Sequence, residues 1–318
     1  MIKLDELSKK LLLEDSIALI CHMRPDGDTL GSCLALYKAL ESLGKSVDVV
    51  CSDPVPEKFF FLDEPRLVKD KLDKNYSALV AVDCADISRL GTFSDAFNAH
   101  NNTFNIDHHI SNTRYAKNNY VVENSSNSEN VFDIINEMNV NIDVQISNLL
   151  AMGIMTDTGN FRHKNVTPKT LYTAAILVEK GADLNAIYYN MFSKQSAKRA
   201  KLFGLTMSKI RYFEDNRFAL ATVRLTDLEN TGARQDETEG FIDFVMGIDG
   251  VEVGACLMET SINKFKVSFR SKGVDVNAVA GTFGGGGHTL ASGCQISGEY
   301  EEVVDKIRFA VSRELPIL

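Results

Sequence analysis

The chain has 318 residues, of which 44% are hydrophobic and 24% are charged, and its formal net charge is −9. These values are typical of a globular protein long enough for two domains, and they exclude a largely disordered chain. The negative charge also argues against binding of long nucleic acids, which depends on a basic surface. Any anionic ligand should therefore be small and bound locally.

Apolar stretches in the sequence are short, and the longest clear ones, at residues 17–21 and 78–82, fall far below the roughly 20 residues that a membrane helix needs. The N-terminus interleaves charged residues with leucines and predicts an amphipathic helix rather than a secretory signal. Six cysteines are scattered singly, a pattern that favours reduced thiols. We expect a cytoplasmic protein without a membrane partner.

Apolar runs alternate with helical patterns through the first half of the chain. Strands are predicted at residues 17–21, 47–51, 78–82 and 103–106, and helices at residues 30–43, 143–155 and 171–180. Alternation of this kind predicts a mostly parallel sheet covered by helices.

A polar stretch at residues 191–205 is interpreted as a linker between a first domain at residues 1–190 and a second at residues 206–318. Beyond it, strands are predicted at residues 218–223, 253–258 and 264–269, and a helix at residues 301–311. The expected fold class is α/β: an N-terminal domain with a mostly parallel sheet and a smaller α/β C-terminal domain. We expect the active site in the cleft between them.

Side chains that bind metal ions follow three predicted strands and one predicted helix of the first domain. In chain order they are His22, Asp26, Asp28, Asp83, Asp107, His108, His109 and Asp157. A single aspartate after a strand is usually a turn former. However, the carboxyl ends of neighbouring parallel strands share one crevice. Four of the six histidines also lie in segments of interest, namely the three just named and His288 in the second domain. We therefore expect one common site.

Five aspartates and three histidines in one crevice would repel and desolvate one another unless cations were bound. Carboxylate and imidazole ligands without thiolate favour Mn²⁺, with Mg²⁺ or Co²⁺ as substitutes, over a structural zinc site. Two such ions would activate a water and stabilise the attacking and leaving oxygens of a phosphoryl displacement. The pattern thus predicts phosphoester hydrolysis.

The same segments resemble the four motifs of the DHH phosphoesterases: HMRPDGD at 22–28, VAVDCAD at 80–86, DHHISN at 107–112 and TDTGNF at 156–161. FRS at 269–271 and GGGGHTLASG at 284–293 resemble the DHH-associated C-terminal domain. The resemblance spans nearly the whole chain in the right order. Within the family, the chain is similar to the bacterial oligoribonuclease and 3′-phosphoadenosine 5′-phosphate phosphatase subfamily, the nanoRNases.

This resemblance implies two metal sites that share Asp83. The first would be formed by His22, Asp26 and Asp83, and the second by Asp28, Asp83, His108 and Asp157. The resemblance further implies that His109 contacts the scissile phosphate or the leaving oxygen. Asp107 would anchor an imidazole from behind the site.

The second domain offers a different kind of site, around Arg270 and His288. The glycines between them, Gly284, Gly285, Gly286 and Gly287, would leave backbone N–H groups open to a phosphate, although a glycine run alone also fits a flexible hairpin. Arg270 offers a bidentate fork for an anion, and His288 would stack on a base or bond a phosphate.

Several other polar residues are left open. Lys264, Lys266 and Lys272 are expected on a solvated face. Residues Asn112, Arg114 and Arg162 flank the motifs, and the sequence does not decide between substrate contact and salt bridging or capping.

We expect hydrolysis of the 3′-O–P bond of short RNA oligonucleotides and of 3′-phosphoadenosine 5′-phosphate, which releases 5′-mononucleotides. One alternative is a linear dinucleotide phosphodiesterase that finishes cyclic-di-AMP breakdown, and another is a non-catalytic nucleotide sensor or RNA-binding module. A pyrophosphatase would have no use for the second domain, and a single-strand DNA exonuclease would carry further basic domains. Substrate length, base and sugar preference, the physiological metal and the oligomeric state stay open, with a homodimer allowed.

Overall fold

The computed structural model describes residues 1–316, which form two compact units, one at Met1–Lys194 and one that begins at Gln195. Each unit is a β-sheet packed against helices, so the predicted α/β class is confirmed. Residues 191–205, interpreted from the sequence as a linker, are largely helical here. A π-helical turn at Tyr189–Ser193 precedes helix α8 at Ala197–Met207, and Leu202 on α8 is buried.

The first unit alternates strands and helices as the sequence predicts. Its strands are β1 (Ser16–Ile20), β2 (Ser46–Val50), β3 (Ala78–Val82), β4 (Thr103–Asp107) and β5 (Asn118–Val121). Its helices are α1 (Leu4–Leu13), α2 (Gly27–Ser42), α3 (Ser94–Ala99), α4 (Asn127–Glu137), α5 (Val144–Asp157), α6 (Pro168–Glu179) and α7 (Leu184–Tyr188). The predicted strands lie within one residue of the observed ones, except that the polar edge strand β5 was missed.

The sheet of the first unit is parallel throughout, with strand order β2-β1-β3-β4-β5. Helices cover both faces, which is why β3 is apolar at every position and fully buried. The strand order reverses direction between β1 and β3. In open α/β sheets, ligands bind at the carboxyl ends of the strands on either side of such a point.

Helices α2 and α5 approach each other closely through glycine. A Cβ atom at Gly31 of α2 would overlap the carbonyl oxygen of Leu149 on α5, and a Cβ at Gly27 would overlap the side chain of Thr156. Larger residues at these positions would push the helices apart. The first turn of α2 is therefore held beside the last turn of α5.

The second unit is built on a mixed sheet with strand order β10-β11-β9-β8-β7-β6, in which β7 and β8 are parallel. Its strands are β6 (Arg211–Phe213), β7 (Phe218–Val223), β8 (Val253–Ser261), β9 (Lys264–Ser271), β10 (Gly286–His288) and β11 (Ala291–Ser297). Its helices after α8 are α9 (Leu225–Thr231), α10 (Phe241–Met246), α11 (Val276–Gly281) and α12 (Tyr300–Glu314).

Strand β9 has one covered and one open face. Phe265, Val267 and Phe269 are buried in a core shared with α11 and α12. Because side chains alternate along a strand, Lys266, Ser268 and Arg270 share the opposite face.

Within the described residues, no helix is long and apolar enough to cross a membrane.

The close crossing of α2 and α5 gives a test of the fold. Gly31→Ala should lower the free energy of unfolding of the first unit by about 1–3 kcal/mol, because the new Cβ meets backbone that cannot move aside. Gly204→Ala is a matched control on α8, where a Cβ would meet open space, and should stabilise by about 0.5–1 kcal/mol. Denaturant unfolding followed by circular dichroism measures both, and equal effects of the two variants would contradict the close crossing.

Candidate metal centre

His22 stands just beyond the end of β1, and its side chain is only 2% exposed. Its ring nitrogen Nδ1 donates to the carbonyl oxygen of Met23 at 2.8 Å, which leaves Nε2 as the nitrogen able to bind a metal ion. Nε2 lies 3.5 Å from Oδ2 of Asp26 and 3.6 Å from Oδ2 of Asp83. These three residues form a group whose ligand atoms lie within 4.8 Å of one another.

A second group surrounds His108, which follows β4. Nδ1 of this ring donates to the carbonyl oxygen of Asn124 at 3.1 Å, so Nε2 is again the free nitrogen. Nε2 lies 3.4 Å from Oδ1 of Asp83, 3.5 Å from Oδ2 of Asp157 and 3.9 Å from Oδ2 of Asp28. Ligand atoms of Asp28, His108 and Asp157 also lie within 4.8 Å of one another.

Asp83 stands between the two groups, with Oδ2 toward His22 and Oδ1 toward His108. Its backbone is in the left-handed region, at φ 59°, which is unusual for a residue other than glycine and recurs at functional sites. The buried Oδ1 atom has no hydrogen-bond partner among the described residues. A buried, unpaired carboxylate oxygen is costly, so this donor set fits divalent cations bound on both sides of Asp83.

Carboxylates of the site disfavour one another's charge. Burial, followed by the charge of Asp83, raises the pKa of Asp157 to about 6. Burial and the charges of Asp83 and Asp157 raise the pKa of Asp28 well above its ordinary value. Bound cations would relieve this repulsion and let both carboxylates ionise.

For the two histidines of these groups, by contrast, the surroundings favour the charged form of the side chain. Burial disfavours the charged ring of His22, but contacts with Asp26 and Asp83 outweigh burial and raise its pKa to about 10. Burial likewise opposes the charge of His108, yet the nearby carboxylates, Asp28 foremost, raise its pKa to about 9. Protons and metal ions therefore compete for these rings.

His109 and Asp107 form a hydrogen-bonded pair at the same edge of the sheet, and Nδ1 of His109 also lies 3.7 Å from Oδ1 of Asp83. Nδ1 of His109 donates to Oδ1 of the fully buried Asp107 at 2.8 Å, and this hydrogen bond raises the pKa of His109 against the effect of burial. Asn112 donates to Oδ2 of Asp107 at 2.5 Å and to Oδ1 of Asn105 at 2.7 Å. Asn112 thus clamps Asp107 in place.

The two arginines left open by the sequence have different surroundings. Arg162 donates through Nε to the carbonyl oxygen of Gly159 at 3.0 Å, a local contact within its own turn. Arg114 is exposed and lines a cavity of about 200 Å³ together with His108 and His109. Of the two, Arg114 is the one placed beside the candidate metal centre.

In the second unit, Arg270 shares a cavity of about 360 Å³ with Lys266, Ser268 and the apolar side chains of Cys256 and Met258. Lys266 also lines a cavity of about 440 Å³ that reaches the first two glycines of the glycine run. Lys266 is exposed, as a solvated face requires, and it shares that face with Arg270. The alternation of Lys266, Ser268 and Arg270 along β9 was the signal that placed them on one face.

The glycine run is a packed hairpin rather than an open loop. Cβ atoms at Gly285 and Gly287 would overlap the backbone of β11, which explains why glycine is needed there. The N–H groups of Gly284, Gly285 and Gly287 donate to Gly281, Ala280 and Asn277 within the unit. These three amides are thus already paired within the unit. Gly286 and His288 lie on β10 opposite Gly293 and Ala291 of β11, and both are exposed.

Two contacts with the metal-binding residues were not predicted from the sequence. The guanidinium of Arg89 lies 3.1 Å from Nδ1 of His22. Ser128 donates its hydroxyl to Oδ1 of Asp28 at 2.6 Å and belongs to a polar run at residues 124–130. In the sequence, a polar run ahead of an apolar stretch indicates where a helix begins. It does not indicate that Ser128 contacts Asp28.

The raised pKa values predict how stability depends on pH once metal is removed. The folded pKa values of Asp157, His108 and His22 lie at about 6, 9 and 10, above their ordinary values, so the folded chain binds more protons than the unfolded one. This stabilisation is complete at low pH and is lost as pH rises through those values. The contribution of Asp157 is lost between about pH 4 and pH 6, and those of the two histidines are lost between about pH 6.5 and pH 10. We expect the Tm of EDTA-treated protein to fall over this whole range, and Mn²⁺ to restore it. Asp157→Asn should remove the earliest part of the fall; a Tm that rises over this range would refute the account.

Two family models match the chain, one within each unit. Residues 16–154 match the N-terminal domain of the DHH family, and residues 215–315 match the DHHA1 domain. A Thermus thermophilus protein named bifunctional oligoribonuclease and PAP phosphatase NrnA is 33% identical over 95% of this chain and 92% of its own length. A Bacillus subtilis protein of the same name is 27% identical over 92% of each chain.

A solved structure also resembles this one along nearly its full length. The crystal structure of an exopolyphosphatase-related protein from Bacteroides fragilis has a TM-score of 0.82 and 27% sequence identity, covering 98% of this chain and 95% of that one. Together with the metal-binding groups of the first unit, these matches identify the kind of protein. The chain belongs to the DHH family and is a metal-dependent phosphoesterase.

Proposed function

We propose that this enzyme hydrolyses the 3′-O–P bond of short nucleotide substrates, namely RNA oligonucleotides of a few residues and 3′-phosphoadenosine 5′-phosphate, and releases 5′-mononucleotides. The names of the Thermus and Bacillus relatives support both substrates. Both contain a 5′-terminal nucleotide whose 3′-oxygen is esterified to phosphorus, so one reaction serves both. The observation that carries the chemistry is Asp83, which turns one oxygen to each metal-binding group.

The residues that would hold the metal ions are the two groups that share Asp83. One contains His22 and Asp26, and the other contains Asp28, His108 and Asp157. Two divalent ions, which we propose to be Mn²⁺ with Mg²⁺ or Co²⁺ as substitutes, would supply charge stabilisation for the phosphoryl oxygens and an activated water. The protein's own part is to aim the five side chains around Asp83 at one place, where bound ions would displace their protons.

His109 is proposed to serve the leaving group. Its Nδ1–H is held by Asp107, so Nε2 is the nitrogen that faces away from the buried carboxylate. The same hydrogen bond raises the pKa of His109, which favours a ring that carries a proton at neutral pH. Nε2 would then donate that proton to the 3′-oxygen as the ester bond breaks.

We propose a division of labour between the domains, in which residues 1–190 cleave and residues 206–318 hold the nucleotide. Arg270 and Lys266 supply two cations to one cavity, beside the apolar side chains of Cys256 and Met258. Two acidic residues, Asp236 and Glu239, line the same cavity. Cations suit a phosphate, and an apolar surface suits a base. Exposed Gly286 and His288 belong to the same proposed nucleotide site, with the paired Gly284, Gly285 and Gly287 shaping its hairpin.

The proposal is tested by turnover on a substrate panel in Mn²⁺: 3′-phosphoadenosine 5′-phosphate, linear diadenylate, and RNA and DNA oligomers of graded length. We expect the highest kcat/KM on the bisphosphate and on RNA of two to five residues. A strong preference for diadenylate alone would support the cyclic-di-AMP alternative. No turnover on any member would support a nucleotide sensor or RNA-binding module.

Asp83→Asn tests the shared ligand. It should lower kcat on the order of 10³-fold, about 4 kcal/mol of transition-state stabilisation, because one carboxylate serves both groups. Asp95→Asn changes an exposed aspartate on α3 and should leave kcat unchanged. Near-wild-type Mn²⁺-dependent turnover of a folded Asp83→Asn enzyme would remove Asp83 from the site.

Arg270→Ala tests the holding role of the second unit. Loss of a charge-assisted hydrogen bond costs roughly 1.5–3 kcal/mol, so kcat/KM on nucleotides should fall about 10- to 150-fold. Hydrolysis of bis(p-nitrophenyl) phosphate, which has no nucleotide to hold, should change much less, and His288→Ala should behave alike. Lys264→Ala is the control, since Lys264 begins the same strand but does not line the cavity. An equal loss of kcat/KM on the reporter and on nucleotides, or a loss of bound metal, would overturn the proposed role of the second unit in holding the nucleotide.

A further inference from the structure

Residues 124–130, with the sequence NSSNSEN, form a polar segment whose members from Ser125 to Asn130 are all buried. We call residues 124–130 the polar segment. Buried polar groups are almost always hydrogen-bonded, so the partners of this segment show what it supports. The segment contacts Asp28 and His108 of the second metal-binding group directly, and Asn165 joins it to the third member, Asp157.

Two of these contacts are made through main-chain carbonyl groups. The carbonyl oxygen of Asn124 accepts from Nδ1 of His108 at 3.1 Å and so fixes the ring with Nε2 toward the site. The side-chain amide of Asn165 donates to the carbonyl oxygen of Ser125 at 3.0 Å and to that of Asp157 at 3.3 Å. The polar segment thereby orients one ligand ring and ties the end of α5 to itself.

The contact with Asp28 is the most extensive. Oδ1 of this carboxylate accepts from the backbone N–H of Ser128 at 2.9 Å and from its hydroxyl at 2.6 Å. Oδ2 accepts from the backbone N–H of Asn127 at 2.6 Å and lies 3.9 Å from Nε2 of His108. Both N–H groups belong to the first turn of α4, whose positive end favours a negative charge. Both acceptor positions of Oδ1 are thus filled, and Oδ2 alone faces the site.

Gly153 on α5 makes room for this arrangement. A Cβ atom at Gly153 would overlap the hydroxyl of Ser128 and lie 2.7 Å from Oδ1 of Asp28. Glycine inside a helix is destabilising relative to alanine. Its presence at this place therefore has a packing reason, which is the approach of α5 to the Ser128–Asp28 pair.

We propose that Ser128 is a positioning residue that restricts Asp28 to one-oxygen coordination, through Oδ2, of the ion in the His108 group, and thereby selects Mn²⁺ or Mg²⁺ over Ca²⁺. This inference rests on the proposed two-metal function. Ca²⁺ takes six to eight oxygen ligands and often binds both oxygens of a carboxylate, whereas Mg²⁺ demands octahedral coordination by single oxygens. An Asp28 whose Oδ1 is occupied by Ser128 suits the smaller ion.

The test is metal binding by the full-length protein after removal of metal with EDTA. Mn²⁺ is titrated and followed by electron paramagnetic resonance, with and without competing Ca²⁺. In Ser128→Ala, we expect one of two Mn²⁺ ions to bind about 10- to 100-fold more weakly, as is common when a partner of a ligand is removed. We expect the preference for Mn²⁺ over Ca²⁺ at that ion to fall at least about 10-fold, and the other ion to bind as in the wild type.

Two further variants keep the test decisive. Ser128→Cys fills the same space with a much weaker donor and should shift the preference in the same direction, even where Ser128→Ala fails to fold. Ser147→Ala is the control, because Ser147 is a buried serine on α5 whose hydroxyl has no partner among the described residues. It should leave both Mn²⁺ affinities unchanged.

The possible results separate this inference from the function on which it rests. Two Mn²⁺ ions in the wild type, with unchanged selectivity in both Ser128 variants, would overturn the role of Ser128 alone. Equal weakening of both ions would show a general structural effect and would overturn it too. A wild-type protein that binds a single Mn²⁺ would overturn the two-metal function together with the present inference.

Discussion

Asp28, Asp83 and Asp157 converge on two imidazole rings at the carboxyl edge of a parallel sheet, where water has little access to the first two carboxylates. Burial, followed by repulsion between like charges, raises the pKa values of Asp28 and Asp157. The rest of the first unit acts to hold these groups together despite it. A cation is the natural partner of such a site, and the buried, unpaired oxygen of Asp83 marks its place.

Three features of the first unit hold the metal-binding side chains together despite this repulsion. The reversal of strand order between β1 and β3 sets His22 and Asp83 side by side. The glycine-lined crossing of α2 and α5 brings two further carboxylates to the same edge. Hydrogen bonds from the first turn of α4 then hold Asp28, and Asn112 holds Asp107. Each of these contacts holds a metal-binding side chain in place only in the folded chain. Metal binding should therefore stabilise the fold, and folding should favour metal binding.

The sequence predicts the parts of this site that depend on local order. Ligands directly after apolar strands, such as Asp83, can be found because parallel strands end at one edge whatever their neighbours are. Ser128 could not be assigned in this way, since it meets Asp28 across 100 residues of chain. Strand β10 was missed because two of its three residues are glycine, a poor strand former, and at Gly287 a Cβ atom would overlap the backbone of β11. Contacts of this kind depend on tertiary packing, which no local pattern records.

The two units expose their chemistry in different ways because their sheets are covered differently. A parallel sheet with helices on both faces leaves only its edge open, so its functional groups lie in the turns after strands. The mixed sheet of the second unit has α11 and α12 packed against the buried side of β9, and Lys266, Ser268 and Arg270 stand in a row on the other side. An edge gathers several side chains on one point, as a metal ion needs. An open strand face presents side chains two residues apart, a spacing of roughly 6–7 Å that suits the separate phosphate and base of a nucleotide.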